Sequence, residues 1–243
     1  MKDYEQLKSS IEKILHSSTK IEQKVNIPSS DSNFTYENGI KAWVSSLFID
    51  IVKSSELFKE PNEDTARIMR SFCSGIISIL KENDHYREIG IRGDCVYAIY
   101  STSYKDDLLD VFYQACKINT FMIMLNKLLK RNGFTTIQAG IGLGCSENLI
   151  IKAGQKGTGI NDKIWIGKAV VDASHLSDVA NRNLIDSIAM SPLFFSNISE
   201  DLFKDRNDLR PLIKKHTNFY GHIDFYHCSL INKDFDNWIE ENL

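Results

Sequence analysis

Two aspartates stand where a carboxylate is hard to explain. Asp50 lies between Ile49 and Ile51 in the run KAWVSSLFIDIVKSS. An unpaired carboxylate buried there is costly, so Asp50 needs a partner: a metal ion, a lysine or a backbone cap. Asp94 follows Arg92 and Gly93 in EIGIRGDCVYAIYS. These are two short β-prone runs around a tripeptide suited to a hairpin turn, where a plain Asx turn is the simpler role. If the strand ending at Asp50 lies beside that hairpin, the two carboxylates make the oxygen-rich pair that two Mg²⁺ or Mn²⁺ ions require, and a nucleoside triphosphate supplies further ligands. Just after Asp50, Lys53, Ser54 and Ser55 mark a strand-to-helix junction. Free N–H groups at a helix start hold phosphate oxygens and Lys53 adds charge there; an ordinary Ser cap is the structural alternative. Gly154, Gly157 and Gly159, with Lys152 and Lys156, form a glycine-rich arm that reaches a dimer interface or a phosphate, or is simply a loop.

The elements that must position these residues follow from periodicity. Residues 1–20 carry Leu7, Ile11, Ile14 and Leu15 on one helical face, and the polar, turn-rich stretch 25–39 reads as a linker or arm. From Trp43 to Ile51 the side chains alternate: Trp43, Ser45, Leu47, Ile49 and Ile51 on one face, Val44, Ser46, Phe48 and Asp50 on the other. That is a strand buried on both faces. Residues 63–82 form an amphipathic helix. Leu108, Val111, Ala115, Ile118, Met122, Leu125 and Leu129 form the core stripe of another, which Gly133 ends. Residues 136–146 read as a strand, 167–183 as a helix, 187–191 as a strand, 192–204 as short helices and 233–242 as a closing helix, with two β-prone runs before it. A hairpin between helices, with more strands following, predicts an α+β domain: one mostly antiparallel sheet with helices packed on it. The division is an N-terminal helix and linker arm over 1–39 and a catalytic domain over 40–243.

Composition narrows the function. The chain has 243 residues, 29 Lys+Arg against 32 Asp+Glu, and a formal net charge of −3. That balance predicts no broad basic surface and no nucleic-acid polymer as partner. No apolar run approaches the ~18 residues of a membrane helix, and the charged N-terminus lacks a signal-peptide core, so cytoplasmic residence is expected. Five widely spaced cysteines without a CxxC pair predict free, buried thiols.

FIDIVKSS (48–55), RGD (92–94), QAGIGLG (138–144) and WIGKAVVDASHL (165–176) together resemble, in order and spacing, the motifs of class III nucleotidyl cyclases over about residues 40–230. The resemblance implies the ferredoxin- or palm-like cyclase fold and a head-to-tail homodimer with sites between chains. It implies two ions, Mn²⁺ or Mg²⁺, held by Asp50, Asp94 and the Ile51 carbonyl, and in-line attack of the ribose 3′-oxygen on the α-phosphorus with loss of pyrophosphate. Phe48 would border the nucleotide, beside Lys53 and Ser54.

Departures from the family pattern are as telling. The position that specifies a purine is Gly90, and the second base-contacting position falls at or near Ile164. Neither side chain can hydrogen-bond a purine edge. The transition-state Asn and Arg positions read Val171 and His175, leaving His175 as a weaker, pH-dependent donor. Intact metal aspartates without a purine code resemble the pyrimidine cyclases of bacterial Pycsar anti-phage systems. Those make cyclic UMP or cyclic CMP for a downstream effector protein, and UTP is the narrow preference here. An adenylate cyclase and a non-catalytic nucleotide-sensing pseudo-cyclase are the alternatives. A missing GG-acidic signature and near-neutral charge argue against a diguanylate cyclase and a templated polymerase.

Overall fold

A computed structural model describes residues 2–217 and 223–243. The strands are β1 (Lys20–Gln23), β2 (Asn38–Ile51), β3 (Tyr86–Arg92), β4 (Cys95–Ser101), β5 (Ala139–Gly154), β6 (Asn161–Ile166), β7 (Ile188–Met190), β8 (Lys214–Thr217) and β9 (Ile223–Cys228). The helices are α1 (Lys2–Leu15), α2 (Ser54–Leu57), α3 (Glu63–Leu80), α4 (Lys105–Arg131), α5 (Lys168–Val179), α6 (Pro192–Lys204) and α7 (Lys233–Asn242). Among the described residues the strands form one sheet in the order β3-β4-β2-β5-β7-β9-β8, with β1 beside β2 and β6 beside β5. Pairing is antiparallel except β1–β2 and β5–β7. This is the expected α+β architecture.

The centre of the sheet is the long β2–β5 ladder, which runs from Gly39↔Ile151 to Ile51↔Ala139. Leu47, Ile49 and Ile51 point into the main core, against α3 (Ile68, Phe72, Ile76) and the α4 stripe of Leu108, Val111, Ala115, Ile118, Met122, Leu125 and Leu129. By length and composition α4 is apolar enough to cross a membrane, but its apolar face is packed within this core. Burying that stripe is the main source of its stability. Phe48 and Asp50 face the opposite side, where α5 lies across β5.

Several boundaries differ from expectation. The first helix stops at Leu15, because residues 20–23 pair in parallel with 38–41. The stretch expected as a linker is packed against the sheet: Ile27 and Phe34 are buried beside Ile40, Val44 and Ile99, and Ile27 N–H donates to Ser101 Oγ at 3.0 Å. Residues 192–204 form one helix, capped by Ser191, whose hydroxyl accepts from the Phe194 N–H. The five cysteines are all free; Cys116, Cys145 and Cys228 are buried and Cys73 and Cys95 partly so.

Candidate active site

Asp50 is the penultimate residue of β2, directly opposite Cys95 on β4 and Gly140 on β5. Cys95 opens the strand after the β3–β4 turn, so the hairpin places Asp94 next to Asp50. Gly93 takes a φ of +65° there, which glycine adopts without strain. The carboxylate of Asp50 is 17% exposed and pairs with Arg182, whose Nη2 donates to Asp50 Oδ2 at 2.9 Å and to the Ile51 carbonyl at 3.3 Å. Arg182 Nη1 donates to the carbonyls of Ser177 (2.8 Å) and Ala180 (3.0 Å), at the end of α5.

Burial, and then the charge of Asp94, push the Asp50 carboxyl up to about 6 from its ordinary 3.8, outweighing the Arg182 contact. Between those values the folded protein holds more protons than the unfolded chain. Its stability therefore falls as pH rises through that interval, when no divalent cation is present. The expected result is a melting temperature of the metal-free protein that drops from pH 4 to pH 6 through this group. Asp50→Asn flattens that part of the profile. An equally steep profile in the variant would assign the slope elsewhere.

The donor chemistry fits a hard divalent cation. Two carboxylates and the Ile51 carbonyl supply oxygen only, and a guanidinium already sits between Asp50 and that carbonyl as a cation would. Among the described residues no cluster of three or more His, Cys, Asp or Glu side chains exists that could hold a metal. A bound ion would therefore draw its remaining ligands from substrate and water.

A second group of residues lines a cavity of about 460 Å³ on the α5 side of the sheet, including Phe48, Glu88, Tyr97, Ile164, Trp165 and His175. Phe48 stacks on Tyr97 with ring centroids 5.1 Å apart. The Tyr97 hydroxyl donates to Glu88 Oε1 at 2.7 Å and Trp165 Nε1 donates to Glu88 Oε2 at 2.8 Å. Burial, with the Glu88 charge, pushes the Tyr97 phenol up to about 12, so it remains a donor. Gly90 pairs with Tyr97 across β3–β4, and the Tyr97 ring covers it: a Cβ at 90 would lie 2.5 Å from that ring.

The residues singled out by sequence thus divide. Asp50, Ile51 and Asp94 gather at one end of β2. Phe48, Ile164 and His175 share the cavity, which Asp50 and Asp94 do not line. Lys53, in the left-handed region (φ 57°), precedes the single turn of α2 without capping it through its side chain. It lines a different cavity with Glu56, Lys59 and the 133–138 loop, and its Nζ lies 3.6 Å from Glu56. Ser54 is the first residue of that turn, so a Ser cap is not what is found. The glycine arm forms the β5–β6 hairpin, where Gly154, Gly157 and Gly159 all have positive φ.

Arg182, Glu88, Tyr97 and Trp165 escape sequence reasoning. A signal for Tyr97 exists in retrospect: a glycine facing an aromatic across a two-strand turn. Arg182 has none, since it lies in an aperiodic loop.

No protein-family model matches this chain. A uridylate cyclase from Treponema porcinum is 39% identical over 243 residues, spanning 99% of this chain and 82% of that protein. A uridylate cyclase from Gulbenkiania mobilis is 28% identical over 254 residues, spanning 99% and 96%. Among solved structures, the guanylyl cyclase Cya2 superposes with a TM-score of 0.62 at 13% identity, over 80% of this chain and 95% of that one. The adenylyl cyclase CyaB from P. aeruginosa gives 0.60 at 17% identity, over 78% and 95%. These two structures share the fold.

Proposed function

The chain belongs to the uridylate cyclase family, with the class III nucleotidyl cyclase fold, and from that premise we propose that it converts a pyrimidine nucleoside triphosphate, UTP before CTP, into the 3′,5′-cyclic monophosphate and pyrophosphate. The observation that carries the base preference is the Tyr97 ring over Gly90. It takes the space a purine-reading side chain would need, and its stack on Phe48 and bond to Glu88 hold it there. Glu88 and Arg92 then offer an acceptor and a donor to a pyrimidine edge. The choice of UTP over CTP rests on the two relatives.

Two divalent cations, Mn²⁺ or Mg²⁺, bound by Asp50, Asp94 and the Ile51 carbonyl would neutralise the triphosphate and lower the pKa of the ribose 3′-hydroxyl. Phe48 and Tyr97 hold the base by stacking and fix the sugar relative to the acids. His175, exposed on α5 at the cavity wall, donates to the charge that develops as pyrophosphate leaves.

The site is completed in a homodimer. The acids and the base cavity do not share one pocket in a protomer, and the cavity is edged by Ile164 and Val171, 43% and 51% exposed. A head-to-tail second copy brings the acids of one chain to the cavity of the other and covers these residues. The product would act in the cytoplasm as a second messenger for an effector protein in anti-phage defence, the setting of the Pycsar cyclases that the motifs resemble. Product identification by mass spectrometry after incubation with Mn²⁺ and all four triphosphates tests the activity. Cyclic UMP is expected to exceed cyclic AMP at least tenfold. Faster turnover of ATP overturns the pyrimidine assignment, and nucleotide binding without pyrophosphate release favours a sensor.

A further inference from the structure

Arg182 is tied at two ends. Its Nη1 is anchored by the Ser177 and Ala180 carbonyls, which α5 leaves open as it ends. Its Nη2 spans Asp50 Oδ2 and the Ile51 carbonyl. Those are two of the oxygens assigned above to a divalent cation. Each oxygen has a second lone pair, but Nη2 fills the space between them that a bridging ion would occupy, and two cations that close repel. The side chain itself is 23% exposed, so Nη2 has room to withdraw while Nη1 stays anchored.

We propose that Arg182 is a resident counter-cation of the metal site: it neutralises Asp50 when no ion is bound, and an incoming divalent cation must displace its Nη2. Arg182 therefore sets metal affinity. It offsets part of the repulsion that Asp94 and the nearby Asp178 exert on Asp50 in the resting protein. It also raises the metal concentration at which the site fills. The inference rests on the assignment of Asp50 and Asp94 as metal ligands. It assigns Arg182 a positioning role, since the residue acts through Asp50.

Mn²⁺ alone, without nucleotide, is titrated into the full-length protein, and free ion is followed by its electron paramagnetic resonance signal. Asp94→Asn is expected to weaken binding. Arg182→Gln, which keeps a donor for the helix-end carbonyls but removes the charge, is expected to tighten it roughly tenfold, the scale of one charge-assisted hydrogen bond lost from the competition. Its metal-free melting temperature falls and Mn²⁺ restores it. A purely structural arginine would give unchanged or weaker binding, and that outcome overturns the inference while the Asp94 result upholds the metal site. Unchanged binding in Asp94→Asn defeats the site assignment and the inference together. If Arg182→Gln fails to fold, ¹⁵N resonances of the arginine side chains in the unmodified protein give the answer, with Arg182→Lys used for assignment. An Arg182 signal that does not move at saturating Mg²⁺ overturns the displacement.

Discussion

Asp50→Asn and Asp94→Asn each lower cyclic nucleotide formation by about a thousandfold or more, while circular dichroism and the oligomeric state stay as in the parent. Each exchange removes one negative oxygen at nearly constant shape, so packing around β2 and the hairpin persists. What is lost is the charge that draws divalent cations against a polyanionic substrate, and stabilisation of that kind is among the largest single contributions to phosphoryl chemistry. An amide at position 50 can still accept from Arg182, and it no longer carries the burden of a carboxylate whose ionisation burial opposes. The metal-free Asp50→Asn protein is accordingly expected to melt at or above the parent temperature at pH 7.5. A steady-state assay with Mn²⁺ and UTP, read beside thermal melts, checks both halves. Activity within tenfold of the parent in either variant moves the metal centre elsewhere.

Gly142→Ala has the largest effect expected outside the acids. A Cβ there would sit 2.0 Å from the Ala173 carbonyl oxygen and 2.4 Å from the Ser177 nitrogen, both backbone atoms of α5. Gly140 and Gly144, on the same face of β5, also meet α5 or its end closely, at 2.3 and 2.4 Å. The helix lies directly on strand backbone, so no side chain can swing away to make room. A single methyl must lift α5 from the sheet, at a cost of about 3 kcal/mol or more. Because α5 carries His175 and ends in the carbonyls that anchor Arg182, loss of stability and of activity should come together. Urea unfolding of the variant reads the first. A midpoint shifted by less than about 0.5 M, for a typical slope of 1–3 kcal/mol per M, contradicts the close contact.

The parts of the site that the sequence exposes are those whose logic is local. Asp50 interrupts an apolar strand within three residues, and Gly93-Asp94 marks its own turn. The alternation of β2, the stripe of α4 and the helix expected over 63–82 and found over Glu63–Leu80 are legible because each buries one continuous face. The rest depends on contacts between distant segments. Arg182 meets Asp50 across 132 residues, and Trp165 meets Glu88 across 77. Neither pairing leaves a periodic trace. The four-residue β1 is too short for alternation to register, and it pairs with the N-terminal residues 38–41 of β2, which lie beyond the β4 ladder. The helix expected to reach residue 183 ends at Val179, since Ala180 is extended and Asn181, Asn183 and Leu184 take positive φ, which apolar periodicity does not foresee.

The fit of Tyr97 over Gly90 also constrains how such a sequence can change. Restoring a long side chain at 90 collides with the ring at 2.5 Å. Shrinking residue 97 first removes the partner of Phe48 and the donor to Glu88. Either step alone disturbs the arrangement of Phe48, Tyr97 and Glu88. The two positions are thus epistatic. A stepwise change of base preference through these two positions would have to pass through a disturbed pocket.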